Sequence, residues 1–344
     1  MNSQLLKSQN DYLGARLRSK TIMISGATGL IGSHVVEQIK RINDVAKSEI
    51  KTVALYRSEE KRAELEKKLE DVSLIEFVKY DVEDEMEYEG TVDYVIHCAG
   101  FSGGTKMHLK DPVKVFDTGL KGTRSMLDFS ATHGVQGFVY VSTYEVYGDN
   151  STEERITESF PCRLDTFTLR NSYAEIKRAC ESMLCAFSAK YGFNGYAVRL
   201  TSTFGSGVRY DDPRFFAEFA RNAIEGKNII LKSHGKTVRS YLDADDAAIA
   251  MLYILVNGEN CNVYNLTNMN NEISIKEIAD RIIELSKADT KIVFDIPEDA
   301  HRLGLRKESK TVMDATKLES IGWKPVWSLD DTLVKLISSM KDNR

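Results

Sequence analysis

The sequence is short of several things, and each shortage excludes a class. Its longest apolar stretch, near Ala247 to Val256, is about half the ~20 residues that a membrane-spanning helix needs. It therefore reads as a buried helix. Ahead of Thr21, the residues Lys7, Asp11, Arg16 and Arg18 interrupt every apolar run, so no signal-peptide core is expected there. The 5 cysteines (Cys98, Cys162, Cys180, Cys185, Cys261) include no C-x-x-C pair. An odd, scattered set predicts free, buried thiols in a reducing cytosol, hence a cytoplasmic protein. The 6 histidines (His34, His97, His108, His133, His234, His301) are equally dispersed. No zinc spacing emerges from them, so no metal is expected. Positive charge is not in excess either: 46 Lys and Arg against 51 Asp and Glu leave a net charge of −5 at pH 7. The electrostatic footprint of a nucleic-acid binder is absent.

What is present reads as an ordinary globular chain of 344 residues, 42% hydrophobic and 28% charged. At about 150 residues per domain, two domains are expected. Strand-like runs at Thr21–Ser25, Thr52–Tyr56, Leu74–Lys79, Tyr94–Cys98, Gly137–Ser142 and Tyr196–Thr201 alternate with amphipathic stretches. That rhythm predicts βαβ units, an α/β fold with a doubly wound parallel sheet and helices on both faces. The first helix is expected to run to about Arg41. After about residue 205 the rhythm loosens. Shorter strands (Asn228–Leu231, Val263–Leu266, Lys291–Phe294) mix with helices, one of them opened by a capping box at Ser274 and Glu277. Residues 1–19 read as an extra N-terminal amphipathic helix.

The first chemistry lies in TIMISGATGLIGSHVVEQI. A five-residue strand is followed by Gly26, Thr28, Gly29, Leu30, Ile31 and Gly32, then a helix. Gly26, Gly29 and Gly32 permit a tight turn and close backbone approach, and the helix N-terminus presents free N–H groups to a pyrophosphate. The arrangement predicts a dinucleotide site. At the end of the second strand an NAD-preferring site places an acid for the ribose 2′-hydroxyl. Here Arg57 and Ser58 occupy that place, which favours NADP over NAD. Asp81, with Val82 beside it, comes after the third strand and is expected near the adenine. Ala99 and Gly100 end the fourth strand, where small side chains admit the cofactor.

Two further segments carry polar chemistry. Thr143, Tyr144 and Glu145 end the fifth strand, and Tyr173 and Lys177 enter the helix after it. Four residues apart, Tyr173 and Lys177 share a helical face. An ammonium beside a phenol favours the phenolate, and such a tyrosine takes a proton from a substrate hydroxyl as hydride leaves the same carbon. Thr143 is placed to hydrogen-bond the same oxygen.

The stretches GATGLIG, HCAG, VSTYEVYGD, YAEIK, GKTVRSYLDADDAA and IGWKP together resemble the extended short-chain dehydrogenase/reductase family, over roughly residues 20–340. Within it, the nucleotide-sugar epimerases, dehydratases and decarboxylases are the most similar. The resemblance implies a Rossmann NAD(P)-binding domain over 20–205. It also implies a mainly substrate-binding domain over 206–344, with some chain crossing back, and a homodimer built through two helices, one carrying Tyr173. The substrate would be a nucleotide-diphosphate sugar. Tyr173 would be the general base, Lys177 would orient the ribose and lower the tyrosine pKa, and Thr143 would hold the reacting hydroxyl. Arg239 would contact the diphosphate. Oxidation at the sugar C4 would give a 4-keto sugar.

Glu145 bears on the fate of that ketone. The dTDP-glucose 4,6-dehydratases and the UDP-glucuronate decarboxylases carry Glu there, whereas plain 4-epimerases usually carry a small or neutral residue. Residue 144 is Tyr, where the dTDP-glucose enzymes carry Asp and the decarboxylases and GDP-mannose dehydratases carry Ser. The usual N-x-x-G-T is Gly119-Leu-Lys-Gly122-Thr123. Ser202 replaces an asparagine that normally contacts the phosphate-sugar region, which points to a different nucleotide or a polyol as substrate. Three readings therefore stand. The first is a redox-neutral epimerase or dehydratase, with decarboxylation as its variant. The second is a net NADPH-dependent reductase of a nucleotide-linked keto sugar or polyol. The third is a non-catalytic cofactor sensor, against which the complete Thr143, Tyr173 and Lys177 set argues.

Overall fold

The computed structural model describes residues 2–100, 111–148, 154–296 and 308–342. Asp149 of the VSTYEVYGD stretch, His108 and His301 lie outside them. The chain begins with α1 (Ser3–Arg16), β1 (Thr21–Ser25), α2 (Leu30–Ala46), β2 (Lys51–Tyr56), α3 (Glu59–Leu69), β3 (Ile75–Lys79) and β4 (Tyr94–His97). It continues with α4 (Pro112–Thr132), β5 (Gly137–Thr143), a 3₁₀ turn (Tyr144–Tyr147), α5 (Ser172–Tyr191), β6 (Asn194–Leu200) and β7 (Ser202–Phe204). Next come α6 (Phe215–Ile224), β8 (Ile229–Leu231), β9 (Val238–Asp243), α7 (Ala244–Asn257), β10 (Asn262–Leu266) and β11 (Asn268–Ser274). The last elements are α8 (Ile275–Ser286), β12 (Ile292–Phe294), β13 (Lys310–Thr311), α9 (Thr316–Ser320) and α10 (Leu329–Asp342).

Seven strands form one sheet in the order β10-β6-β5-β4-β1-β2-β3, all neighbours parallel. Both faces are covered, which is why the inner strands β1, β4 and β5 read as near-continuous apolar runs rather than as alternations. All five residues of β1 and all seven of β5 are buried. One face packs α2, α3 and α7 through Val35, Ile39, Leu65, Ile249 and Tyr253. The other packs α4 and α5 through Met126, Phe129, Ile176 and Leu184. The order reverses between β1 and β4, and it is at such a switch point, off the strands' carboxyl ends, that doubly wound folds bind ligands.

The chain leaves this sheet after Leu200. β7 already pairs with β9 in a second sheet, β11-β9-β13, and β8 pairs with β12. A separate core forms between α6, α8 and α10, around Phe216, Ile278 and Leu336. The chain crosses back twice: α7 packs into the first core and β10 extends the large sheet at its β6 edge, and later Leu318, Trp323 and Trp327 join the first core. The capping box at Ser274 and Glu277 is formed. α2 runs to Ala46, beyond the expected end near Arg41. It stops where Lys47 turns left-handed and Asn43 holds Ile50 through its side-chain amide. α1 lies over α2 and α7. Leu13 is fully buried, and Tyr12 stacks on Tyr253 with ring centroids 5.4 Å apart.

A buried ionic cluster ties α2 to the C-terminal half. His34 Nδ1 lies 2.7 Å from Asp245 Oδ1, and its Nε2 lies 2.9 Å from the Ser206 carbonyl. Both partners only accept, so both ring nitrogens carry protons and the ring is an imidazolium. Arg41 and Lys335 complete the shell of Asp245, and Lys335 also reaches Asp243. Burial alone pulls the His34 pKa down. The Asp245 hydrogen bond and charge, with Glu37 and the Ser206 carbonyl, outweigh it and leave the pKa raised. Because the native pKa lies above the unfolded value of about 6.5, the stabilisation is complete below that pH and is lost as pH rises through the native pKa. Removing one partner of a buried ion pair costs about 3 kcal/mol. Urea unfolding should therefore show His34→Ala destabilised by about that amount at mildly acidic pH, with the gap to the parent closing in alkali. A pH-independent gap would refute the charged ring.

Candidate active site

The switch point holds the glycine turn. Gly26 has φ +67°, and a Cβ there would meet the Ala99 backbone at 2.9 Å; a Cβ on Gly32 would meet the Gly26 carbonyl oxygen at 2.2 Å. The turn after β1 is thus pressed between the β4 end and the first turn of α2. Gly29 caps α2 without any side-chain hydrogen bond, so the N–H groups that open the helix remain for a ligand, with the positive end of its dipole behind them. Ser25 Oγ receives the Ala99 N–H at 3.2 Å and lies 2.6 Å from His97 Nδ1, which locks the β4 end beside the turn. Burial, then the nearby Lys177 charge, lowers the His97 pKa to about 3, so it is a neutral core residue. This cradle fits a dinucleotide: it has close-approach glycines, uncapped N–H donors and no acidic side chain on the turn.

The flanking positions lie at or just beyond the ends of β2 and β3. Arg57 is exposed at the end of β2, and Ser58 caps α3, accepting from the Lys61 N–H at 3.4 Å. Asp81 comes after β3 and accepts from the Glu83 N–H at 3.2 Å. Val82 packs against Gly122 of α4. Gly119 explains one departure from the family pattern. A Cβ there would meet Ile176 Cγ2 at 2.4 Å, so α4 and α5 touch at this point and a larger residue has no room.

Across the turn, β5 delivers Thr143 and α5 delivers Tyr173 and Lys177. Thr143 faces the Tyr173 phenol, and its hydroxyl caps the 3₁₀ turn, accepting from the Glu145 N–H at 3.3 Å. Burial pushes the Tyr173 phenol well above the usual tyrosine range; the Glu145 charge adds to this and the Thr143 hydroxyl opposes it. Lys177 is buried. Its Nζ donates to the Val141 carbonyl at 2.7 Å and sits 5.9 Å from the Tyr173 ring centre. Burial lowers its pKa. The expected lowering of the tyrosine pKa by Lys177 is therefore not met in this arrangement: the ammonium is turned to a carbonyl below the phenol. Gly100 is its neighbour, a Cβ there lying 3.5 Å from Nζ.

Two arginines complete the site. Arg239, on β9, donates to the Tyr144 hydroxyl at 2.6 Å. Ser202, on β7, is paired with Tyr241 across the β7–β9 register. Arg170 belongs to no motif in the sequence. Its Nη2 lies 2.7 Å from Glu145 Oε2, an ion pair rather than an aligned hydrogen bond, and its buried Nη1 finds no acceptor among the described residues. A second group outside the motifs positions α5. Arg199 of β6 forks onto Glu181 (3.1 and 2.7 Å), and Ser142 donates to the same carboxylate at 2.5 Å. Glu181 is four residues beyond Lys177, so an acid on the buried face of that helix is the signal that could have found it.

A profile described as the NAD dependent epimerase/dehydratase family matches residues 22–267. The chain belongs to that family. It is similar to UDP-glucuronic acid decarboxylase 6 of Arabidopsis thaliana, 27% identical across 91% of this chain and 86% of that protein. It is also similar to dTDP-4-dehydro-6-deoxy-D-allose reductase of a Streptomyces species, 26% identical across 81% and 85%. Its fold matches that of the UDP-N-acetylglucosamine 4-epimerase of Methanobrevibacter ruminantium M1, with TM-score 0.79, 18% identity and coverage of 95% and 100%. Family and fold agree with the resemblance read from the motifs. No helix among the described residues is long and apolar enough to cross a membrane. Of the cysteines, Cys180 is buried as expected, but Cys185 and Cys261 are exposed. They lie on the outer side of α5 and in the turn before β10, which the strand–helix rhythm does not distinguish from core positions.

Proposed function

We propose that this protein converts a nucleotide-diphosphate sugar through oxidation at C4, as an epimerase or dehydratase. The observation that carries the reading is that Thr143 of β5 and Tyr173 of α5 face each other beside the glycine cradle, with Glu145 two residues from Thr143. When bound, NAD(P) would supply the hydride acceptor for this oxidation. Gly26, Gly29 and Gly32 and the α2 N-terminus would hold its pyrophosphate, Ala99 and Gly100 would admit it, and Asp81 with Val82 would border the adenine. Thr143 orients the C4 hydroxyl and Tyr173 takes its proton. Lys177, now on the Val141 carbonyl, would turn to the cofactor ribose and support the phenolate. The 4-keto group acidifies the C5 proton, which Glu145 removes. Arg239, braced by Tyr144, and Ser202 face the diphosphate-sugar region. The enzyme acts in the cytosol as a homodimer through α5 and a neighbouring helix.

Decarboxylation is the second reading. The similarity to UDP-glucuronic acid decarboxylases and the Arg170 cation beside Glu145 favour it. A C6 carboxylate on a 4-keto sugar is a β-keto acid, and Arg170 Nη1 is placed to hold it. Product masses from a panel of nucleotide-sugars separate the outcomes. Loss of water marks dehydration, loss of carbon dioxide marks decarboxylation, and unchanged mass marks epimerisation. Net consumption of reduced cofactor marks the reductase reading. Failure of every nucleotide-sugar to turn over with either cofactor would overturn the proposal.

Arg57 makes a further expectation. A charge-assisted contact to a 2′-phosphate should make NADP bind about tenfold tighter than NAD by calorimetry, and Arg57→Ala should erase the difference. Tighter NAD binding in the parent would refute it.

A further inference from the structure

Cys185 and Cys261 are 76 residues apart in sequence, yet their Sγ atoms lie 2.7 Å apart. Unbonded heavy atoms rest at about 3.5–4.0 Å, so the two thiols are pressed together. Cys185 projects from the second half of α5, eight residues beyond Lys177. Cys261 precedes β10, with its backbone in the left-handed region at φ +57°. Its thiol also donates to the Cys185 carbonyl at 3.7 Å, which aims it at Cys185. Both residues are exposed, so a small oxidant reaches them, unlike the buried Cys180.

We infer that Cys185 and Cys261 are a dithiol–disulfide site that staples the catalytic-site helix to the edge strand of the large sheet. The oxidant is a small-molecule disulfide of the glutathione type. One protein thiolate attacks a sulfur of that disulfide, and its S–S bond breaks to release one small thiol. The second protein thiolate attacks the resulting mixed disulfide, forming the Cys185–Cys261 bond and releasing the second small thiol. Two protein thiols are oxidised, one disulfide is reduced, and the two protons leave with the released thiols. An exposed disulfide of this kind is readily reversed by a thiol reductant.

The test treats the full-length protein with glutathione disulfide, removes the reagent, and counts thiols after denaturation. The count should fall from 5 to about 3. Peptide mass mapping without reductant should show one cross-linked pair containing Cys185 and Cys261, two hydrogens lighter than the sum. The melting temperature should rise by about 5 °C and return on reduction. Cys185→Ser and Cys261→Ser should each abolish the cross-link and leave the remaining cysteine carrying glutathione. Both sites are exposed, so the variants should fold and keep basal activity. An unchanged count of 5, or two separate glutathione adducts at Cys185 and Cys261 without a cross-linked peptide, overturns the inference.

Discussion

Tyr173→Phe is expected to lower turnover by about 10³-fold while leaving the fold and cofactor affinity near the parent values. The phenol is the hydroxyl that α5 offers to Thr143, and the substitution removes that oxygen and nothing else. Proton transfer by a positioned side chain is worth roughly 10²–10⁴ in rate, so the loss falls within that span. The pH profile adds a second readout. Burial and the Glu145 charge hold the phenol protonated well past its ordinary range. The base form is therefore scarce at neutral pH unless Lys177 turns toward it. Activity should accordingly rise as pH increases from neutral, and Lys177→Met should displace that rise further to alkaline pH. Its ammonium now sits on the Val141 carbonyl, 5.9 Å from the ring centre, one helical turn along α5 from the phenol. Steady-state rates across pH, with cofactor binding measured separately, check both. A Tyr173→Phe variant retaining more than about a tenth of parental turnover would remove Tyr173 from the proton-transfer role.

The strands are legible in the sequence because both faces of a parallel sheet are buried, so β1, β2 and β5 appear as unbroken apolar runs bounded by glycines and charges. The cradle is legible because only glycine fits where backbone meets backbone, as at Gly26 and Gly32. Thr143, Tyr173 and Lys177 are legible through their placement after one strand and on one helical face. The rest depends on how distant segments return. His34 and Asp245 are 211 residues apart, Tyr144 and Arg239 are 95 apart, and Cys185 and Cys261 are 76 apart. Periodicity reports which face of an element is buried, not which side chain of another element it meets there. Arg170 shows the limit most directly. It lies only three residues from Tyr173, yet its partner Glu145 arrives from the end of β5. The direction of Lys177 escapes for the same reason: spacing puts it beside Tyr173, but the Val141 carbonyl of β5 competes for its protons.

Glu145→Gln is the second substitution with a large expected effect, and it separates the two halves of the reaction. The amide keeps the size of the side chain but cannot accept the C5 proton, since the carboxylate's second acceptor oxygen is replaced by a donor group. Oxidation at C4 relies on Thr143 and Tyr173 and should persist. The 4-keto sugar should therefore accumulate with its C5 proton in place, and formation of a dehydrated product should fall by about 10²–10⁴-fold. Simple C4 epimerisation does not use that proton and should remain largely intact. The Arg170 ion pair sharpens the test. With Glu145 neutral, Arg170 keeps its charge without its 2.7 Å counter-ion, so affinity for a substrate bearing a C6 carboxylate should rise while affinity for a neutral hexose should not. Arg170→Met should do the reverse, weakening the carboxylate substrate and sparing the neutral one. Solvent deuterium incorporation at C5, tracked by mass spectrometry, reads the proton step directly. If Glu145→Gln exchanged that proton at the parental rate, Glu145 would be only the counter-ion of Arg170, and the base for any elimination would have to be sought elsewhere in the site.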